Sequence, residues 1–326
     1  MRRKKDAQPD KANRERPAST VWREVVQSAR PTADFEATYS TNLGAAFVAD
    51  SLALMKSLPD ECVDLVMTSP PFALTRKKEY GNRAAHEYVD WFMPFAYEVH
   101  RILRQTGSFV VDIGGTWKRG SPTRSLYQYE LLIRLGERFH LAQEFFWYNP
   151  SKLPGPAEWV TVKRVRVTDA VNTVWWLSKS ASPRADNRRV LRPYSDSMKS
   201  LLKNGYRAKL RPSGHDISSK FSRDHGGSIP HNLLQIANTE SNSHYLRACR
   251  ARGVKPHPAR FPEALPSFFI RFLTNPGDVI LDPFAGSNVT GRAAESLGRK
   301  WIAVDIDAKY IAASRYRFES DQEVLF

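Results

Sequence analysis

The chain has 326 residues, 41% hydrophobic and 25% charged, which supports one large α/β domain with an insertion, or two domains, and is not the composition of a disordered chain. No run of about 18 apolar residues reads as a membrane span, the basic start MRRKKDAQPDKANRERP has no apolar stretch behind it to form a secretory signal, and two cysteines, Cys62 and Cys249, give no disulfide framework and suit a reducing cytoplasm. The net charge of +15 is concentrated: Arg184 to Arg260 holds 16 Lys/Arg against five Asp/Glu, which implies a polyanionic partner, most simply nucleic acid.

Residues 1 to about 35 are polar and charged without periodicity and read as a flexible basic arm. AAFVAD reads as a short strand ending in Asp50, and SLALMKSLP as a brief helix. Val63, Leu65, Val66 and Met67 form a buried strand that stops at Thr68-Ser69-Pro70-Pro71-Phe72. In EYVDWFMPFAYEVHRILR, residues Trp91, Phe92, Phe95, Val99, Ile102 and Leu103 share one helical face, and Gly107 reads as the stop. SFVVDIGG is a strand ending in Asp112 and two glycines, followed by a helix in YELLIRLGERF, a strand in LAQEFFWYN and a β-rich run in DAVNTVWWLSK.

From about residue 183 to 255 the pattern weakens into Pro, Ser, Gly, Asn and Arg, as in a basic, loop-rich insertion. The rhythm returns with a helix in FPEALPSFFIRFLT, a strand in DVILDPF, a helix in TGRAAESLG, a strand in KWIAVDID and a last helix in YIAASRYRF. Strands alternating with helices on both sides of the insertion predict an α/β fold. One doubly wound sheet would be assembled from residues 36–182 and 256–326.

Two motifs are candidates for chemistry, although taken alone the first also fits an ordinary strand-turn-helix corner and the second a strand-ending proline turn. VILDPFAGSNVTG is a strand, a turn at Gly286 and a helix, and Asp305 ends the next strand 19 residues further on. An acidic residue there commonly binds a ribose diol. GxGxxG is absent, which disfavours a pyrophosphate-bearing dinucleotide and favours a sulfonium cofactor, with Asp282 and Asp305 near the positive charge. The second motif is Ser69-Pro70-Pro71-Phe72. An exocyclic amine on a base is a poor nucleophile because its lone pair is delocalised. A serine hydroxyl and a carbonyl held by stiff prolines supply acceptors that free it, and Phe72 can stack on an extruded base. Neither cysteine sits in a Pro-Cys turn, so covalent attack on carbon is disfavoured.

TSPPF together with DPFAGSNVTG resembles the amino-methyltransferases that modify DNA. The order of catalytic motif, basic segment and cofactor loop resembles their β class, and the serine resembles the cytosine-N4 branch. MTSPPFALTRKKEYGN, GSFVVDIGG, NPSKLP, DAVNTVWW, RPSGHDI, GGSIPHNLLQI and HPARFP extend the resemblance over about residues 44 to 318. It implies a permuted, mixed-sheet SAM-methyltransferase fold and S-adenosylmethionine (SAM) as donor. It also implies double-stranded DNA as substrate, with CAGCTG as target, and a cognate restriction endonuclease acting on the same site. Carried over by position, Ser69, Pro70, Pro71 and Phe72 are catalytic, while Asp282, Phe284, Gly286, Ser287, Asn288 and Asp305 bind the cofactor, with Asp50 at its adenine end. Asp112 is read either as a proton acceptor through Ser69 or as a turn cap. Trp147 and Tyr148 are candidates for the wall of the base pocket. Arg211, His215, Lys220 and Arg223 are expected near DNA, and His257 as a polar loop residue. No metal is expected. The alternatives are adenine-N6 methylation and a DNA-binding regulator without catalysis.

Overall fold

The computed structural model describes residues 35–73, 83–205, 223–239 and 243–319. The arm over residues 1–34 lies outside them. Among the described residues the strands are β1 (Tyr39–Ser40), β2 (Gly44–Val48), β3 (Val63–Thr68), β4 (Leu103–Ile113), β5 (His140–Tyr148), β6 (Val171–Ser178), β7 (Leu233–Gln235), β8 (Val279–Asp282) and β9 (Lys300–Asp305). The helices are α1 (Ser51–Ser57), α2 (Tyr88–Ile102), α3 (Tyr127–Gly136), α4 (Asp196–Asn204), α5 (His244–Ala251), α6 (Ala264–Leu273), α7 (Val289–Ser296) and α8 (Ala308–Ser314). None of these helices is long and apolar enough to cross a membrane.

All nine strands join one sheet in the order β1-β2-β9-β8-β3-β4-β6-β5-β7. β2, β9, β8, β3 and β4 are mutually parallel, whereas β6 runs antiparallel to both β4 and β5. The last two strands of the chain are therefore the middle of the sheet, inserted between β2 and β3. The two halves of the sequence interleave into one mixed sheet.

Side-chain alternation along each strand builds two cores. Val66, Phe109, Val111, Trp175 and Leu281 pack with Leu54, Phe92 and Leu131 from α1, α2 and α3. Their neighbours Leu65, Met67, Val110, Trp176 and Ile280 pack with Phe269 and Ala293 from α6 and α7. Each large apolar side chain removed from water in this way contributes about 1.5–3 kcal/mol; β3 is buried at every position, with Leu65 and Met67 on one face and Val63 and Val66 on the other, so helices cover both faces.

Two expectations change. Helix α2 ends at Ile102 and β4 begins at once, so Gly107 lies within the strand and does not stop the helix. The pairing with β3 skips from Val63–Leu103 to Leu65–Ser108, and the bulge absorbs the residues between. The basic segment also contributes to the sheet: β7 pairs parallel with β5, and Tyr245 and Cys249 of α5 pack against Ala313 of α8. A three-residue strand is too short to show alternation in the sequence.

Candidate active site

The parallel strands all end at one edge of the sheet. From β8 the chain crosses toward β9 on one side, and from β3 toward β4 on the other. The gap between β8 and β3 is thus the switch point, where diverging loops leave a crevice. A cavity of about 740 Å³ opens there, within the range of small-molecule sites. Asp50, the Ser69-Pro70-Pro71-Phe72 tetrapeptide, Asp112, Phe284, Gly286, Ser287 and Asp305 all line it.

The register of β3 on β4 sets Thr68 opposite Val111, which brings Ser69 beside Asp112. Ser69 Oγ donates to Asp112 Oδ2 at 3.0 Å, and Asn172 Nδ2, from β6, donates to Oδ1 at 3.2 Å. The Asp112 side chain belongs to a residue only 2% exposed. Burial raises its pKa to about 6, against the lowering effect of the bonds from Ser69 and Asn172. A carboxylate that titrates near neutrality inside a cavity is suited to accept a proton. With its own hydrogen committed to Asp112, Ser69 Oγ presents lone pairs to an incoming N–H. The Phe72 ring packs over Gly114, where an added Cβ would lie 2.5 Å from ring Cε2. Glycine at 114 is therefore what allows the ring its place.

On the other wall, Gly286 turns at φ +51°, in the left-handed region. Its N–H donates to Asp305 Oδ2 at 2.8 Å, and the Asp307 N–H donates to Oδ1 at 2.9 Å. Burial pushes the Asp305 pKa up, and these two amides pull it down. Phe284 packs against Trp91 and Phe95 of α2, with ring centroids 5.7 and 5.1 Å apart. Asp50 caps α1, its Oδ1 accepting from the N–H groups of Leu52 and Ala53. Carboxylates and an aromatic wall without a glycine-rich phosphate cradle fit a cationic, phosphate-free nucleoside such as SAM. Asp50, Phe284, Gly286, Ser287 and Asp305 would hold it.

Asp282 and Asn288, expected at the cofactor, are absent from the cavity wall. Asp282 is 2% exposed. It accepts from Thr68 Oγ1 at 2.7 Å, Thr290 Oγ1 at 2.6 Å and the Phe284 N–H at 3.1 Å. It therefore ties the end of β3 to the end of β8 and fixes the two site loops relative to each other. Burial raises its pKa to about 6, opposed by the bonds from Thr290 and Thr68. Asn288 is fully buried with φ 53° and caps α7, its Oδ1 accepting from Gly291 N–H at 3.0 Å. Both residues shape the site without facing it.

Arg211, His215 and Lys220 lie outside the described residues, and Arg223 is exposed. Trp147 lines the cavity, and its Nε1 donates to the Ile236 carbonyl at 2.9 Å; Tyr148 is not in the wall. His257 is a loop residue, as expected, and it also lines the cavity. Its imidazole meets Tyr310 edge-on at 4.3 Å between centroids and covers Gly286, where a Cβ would lie 3.2 Å from the ring. Trp91, Lys152 and Asn172 are wall residues that sequence reasoning did not assign to the site. Partial burial lowers the Lys152 pKa, while the carboxylates of Asp169 and Asp112 raise it. These residues come from three separate chain segments, and the only signal for Lys152 was the NPSKLP stretch.

Comparison with known proteins agrees with this geometry. The family described as DNA methylase, of the N6/N4 type, matches residues 63–315. The type II methyltransferase M.PvuII of Proteus hauseri is 56% identical over 285 residues, spanning 86% of this chain and 85% of that protein. The DNA adenine methyltransferase YhdJ of Escherichia coli strain K12 is 26% identical over 277 residues, spanning 83% and 81%. The solved PvuII DNA methyltransferase (cytosine-N4-specific) covers 89% of this chain and 93% of its own at 46% identity, with a TM-score of 0.73. The M1.HpyAVI–SAM complex shares the fold, with a TM-score of 0.51 at 17% identity over 85% of this chain and all of its own. The chain belongs to the N6/N4 DNA methylase family and is a DNA methyltransferase whose methyl donor is S-adenosylmethionine.

Proposed function

We propose that the protein methylates cytosine N4 in double-stranded DNA, at the inner cytosine of CAGCTG, after extruding the base into the cavity. The observation that carries this reading is the Ser69–Asp112 pair at 3.0 Å in the same cavity as the Gly286–Asp305 loop. The 46% identity to a solved cytosine-N4-specific enzyme supports the base, and the target is what the motif resemblance implies.

SAM supplies an electrophilic methyl group. Ser69 Oγ and a carbonyl of the proline kink accept the two amino hydrogens of cytosine, which draws the nitrogen toward tetrahedral geometry. Phe72 stacks on the ring and offsets part of the few kcal/mol that extrusion costs. As the methyl group arrives, one N–H proton passes to Ser69 Oγ while the Ser69 proton passes to Asp112 Oδ2. No covalent enzyme intermediate is formed. Orientation supplies much of the acceleration. Residues 183–255 serve as target-recognition region, with Arg211, His215, Lys220 and Arg223 on the DNA. A restriction endonuclease cutting the same sequence completes the system, in a bacterial cytoplasm.

Methylation-aware sequencing of DNA from cells expressing the protein, with nucleoside mass spectrometry, reports base and target together. N4-methylcytosine in CAGCTG is expected. N6-methyladenine would overturn the base assignment. Ser69→Ala with full activity would overturn the catalytic one, and no methylated nucleoside at all would favour a DNA-binding regulator.

A further inference from the structure

The connection between β5 and β6 has a character that neither the fold nor the cavity requires. Its neck is closed by the Asn149 N–H donating to the Ala170 carbonyl at 2.8 Å, and both residues line the cavity. The body therefore stands at the cavity rim. It is held in shape: Trp159 is buried, Val165 N–H donates to the Trp159 carbonyl at 2.9 Å, and the Arg166 guanidinium lies 3.8 Å from the centroid of the ring of Trp117, in the connection that follows β4. Yet it exposes Leu153 (83%), Val162, Val165 and Val167 (84%) to solvent. Single exposed apolar residues are ordinary, but four on one 19-residue connection, residues 150–168, are apolar area offered to a partner. Residues 150–168 also carry four cations, Lys152, Lys163, Arg164 and Arg166, against the single carboxylate of Glu158. Apolar tips among cations match duplex DNA at a disturbed step, where an apolar side chain enters the stack and the cations meet phosphates.

The geometry points to the β5–β6 connection as a second DNA-contacting surface, in which Leu153 fills the gap left by the extruded base and Arg164 takes a phosphate. Leu153 directly follows Lys152 of the cavity wall and is itself 83% exposed, which places it beside the opening through which the base must pass. This rests on the extrusion proposed above and extends DNA contact beyond residues 183–255. Filling the gap slows return of the base, so Leu153 acts on the paired substrate and is dispensable where no pair has to break.

The test uses full-length protein with SAM and two duplexes of the methylated target, one fully paired and one with an abasic site opposite the target cytosine. Leu153→Ala should lose about tenfold in kcat/KM on the paired duplex and under about twofold on the abasic one, with Leu153→Phe restoring the paired rate. Equal losses on both duplexes, or none on either, would overturn the role of Leu153. Pyrrolocytosine at the target position separates this from the extrusion reading. Brightening with wild type that weakens in Leu153→Ala supports both, whereas no brightening with wild type removes extrusion and, with it, the filled gap. Arg164→Ala should reduce the slope of log affinity against log salt by about one. An unchanged slope would remove the phosphate contact.

Discussion

Replacing Asp112 with asparagine should make the protein more stable while it stops working. The carboxyl is buried, and its pKa is raised to about 6 from an ordinary value of 3.8. A raised carboxyl pKa means that the folded state holds the proton more tightly than the unfolded chain does. Its stabilising contribution is complete below about pH 4 and is lost as pH rises through about 6. At pH 8 the ionised group therefore costs about 3 kcal/mol, two pKa units and a little more at 1.36 kcal/mol each. Asparagine keeps the shape, and its amide pairs with Ser69 and a reoriented Asn172. Asp112→Asn should exceed wild type by about 3 kcal/mol at pH 8 and by roughly half of that at pH 5. Urea unfolding followed by tryptophan fluorescence at both pH values measures the difference. Methyl transfer by the same variant should fall on the order of a hundredfold or more, the usual effect of removing a proton acceptor. A stability difference that is the same at pH 8 and pH 5, whatever its sign, would refute the buried, ionisable Asp112 on which the proton path depends.

Wild-type turnover should fall about tenfold per pH unit below an apparent pKa near 6, since a protonated Asp112 accepts nothing; a flat profile between pH 5 and 8 would contradict this. Gly286→Ala places a non-glycine residue at φ +51° and a methyl 3.2 Å from the His257 ring, so calorimetry should find SAM affinity reduced about tenfold or more in a folded protein. Gly114→Ala displaces the Phe72 ring, so turnover on DNA should drop with SAM affinity nearly unchanged. Asn288→Ala removes the α7 cap and a residue tolerant of left-handed backbone, and should lower unfolding stability by about 2 kcal/mol without a change in SAM affinity that exceeds the lost stability.

Much of the site was legible because its motifs are local. Ser69 to Phe72 follow one strand, and Phe284 to Ser287 follow another, so a run of apolar residues ending in a turn locates each without knowledge of the partner strands. Asp112 was legible as a strand end, with a partnership to Ser69 and a turn cap both left open. Its meeting with Ser69 depends on the register of β3 against β4, 43 residues apart in the chain, which no local pattern specifies. Asp282 and Asn288 were placed on the right loop but on the wrong side of it. Whether a polar side chain faces a ligand or a neighbouring loop is decided by packing, and here Thr68 and Thr290 reach the Asp282 carboxylate first.

The sequence by itself determined most elements outside residues 183–255, their alternation and the two motif loops, since these rest on periodicity and turn chemistry within some twenty residues; the family rested on resemblance of motifs spread over about residues 44 to 318. Tertiary structure alone decided that β8 and β9 enter between β2 and β3, joining the Ser69–Phe72 loop to the Phe284–Ser287 loop, more than two hundred residues apart. It also turned the β5–β6 connection toward the cavity rim and brought β7 to the sheet edge. Hydrogen bonds between distant strands are set by which edges meet once both apolar faces are covered, and that competition involves the whole chain at once.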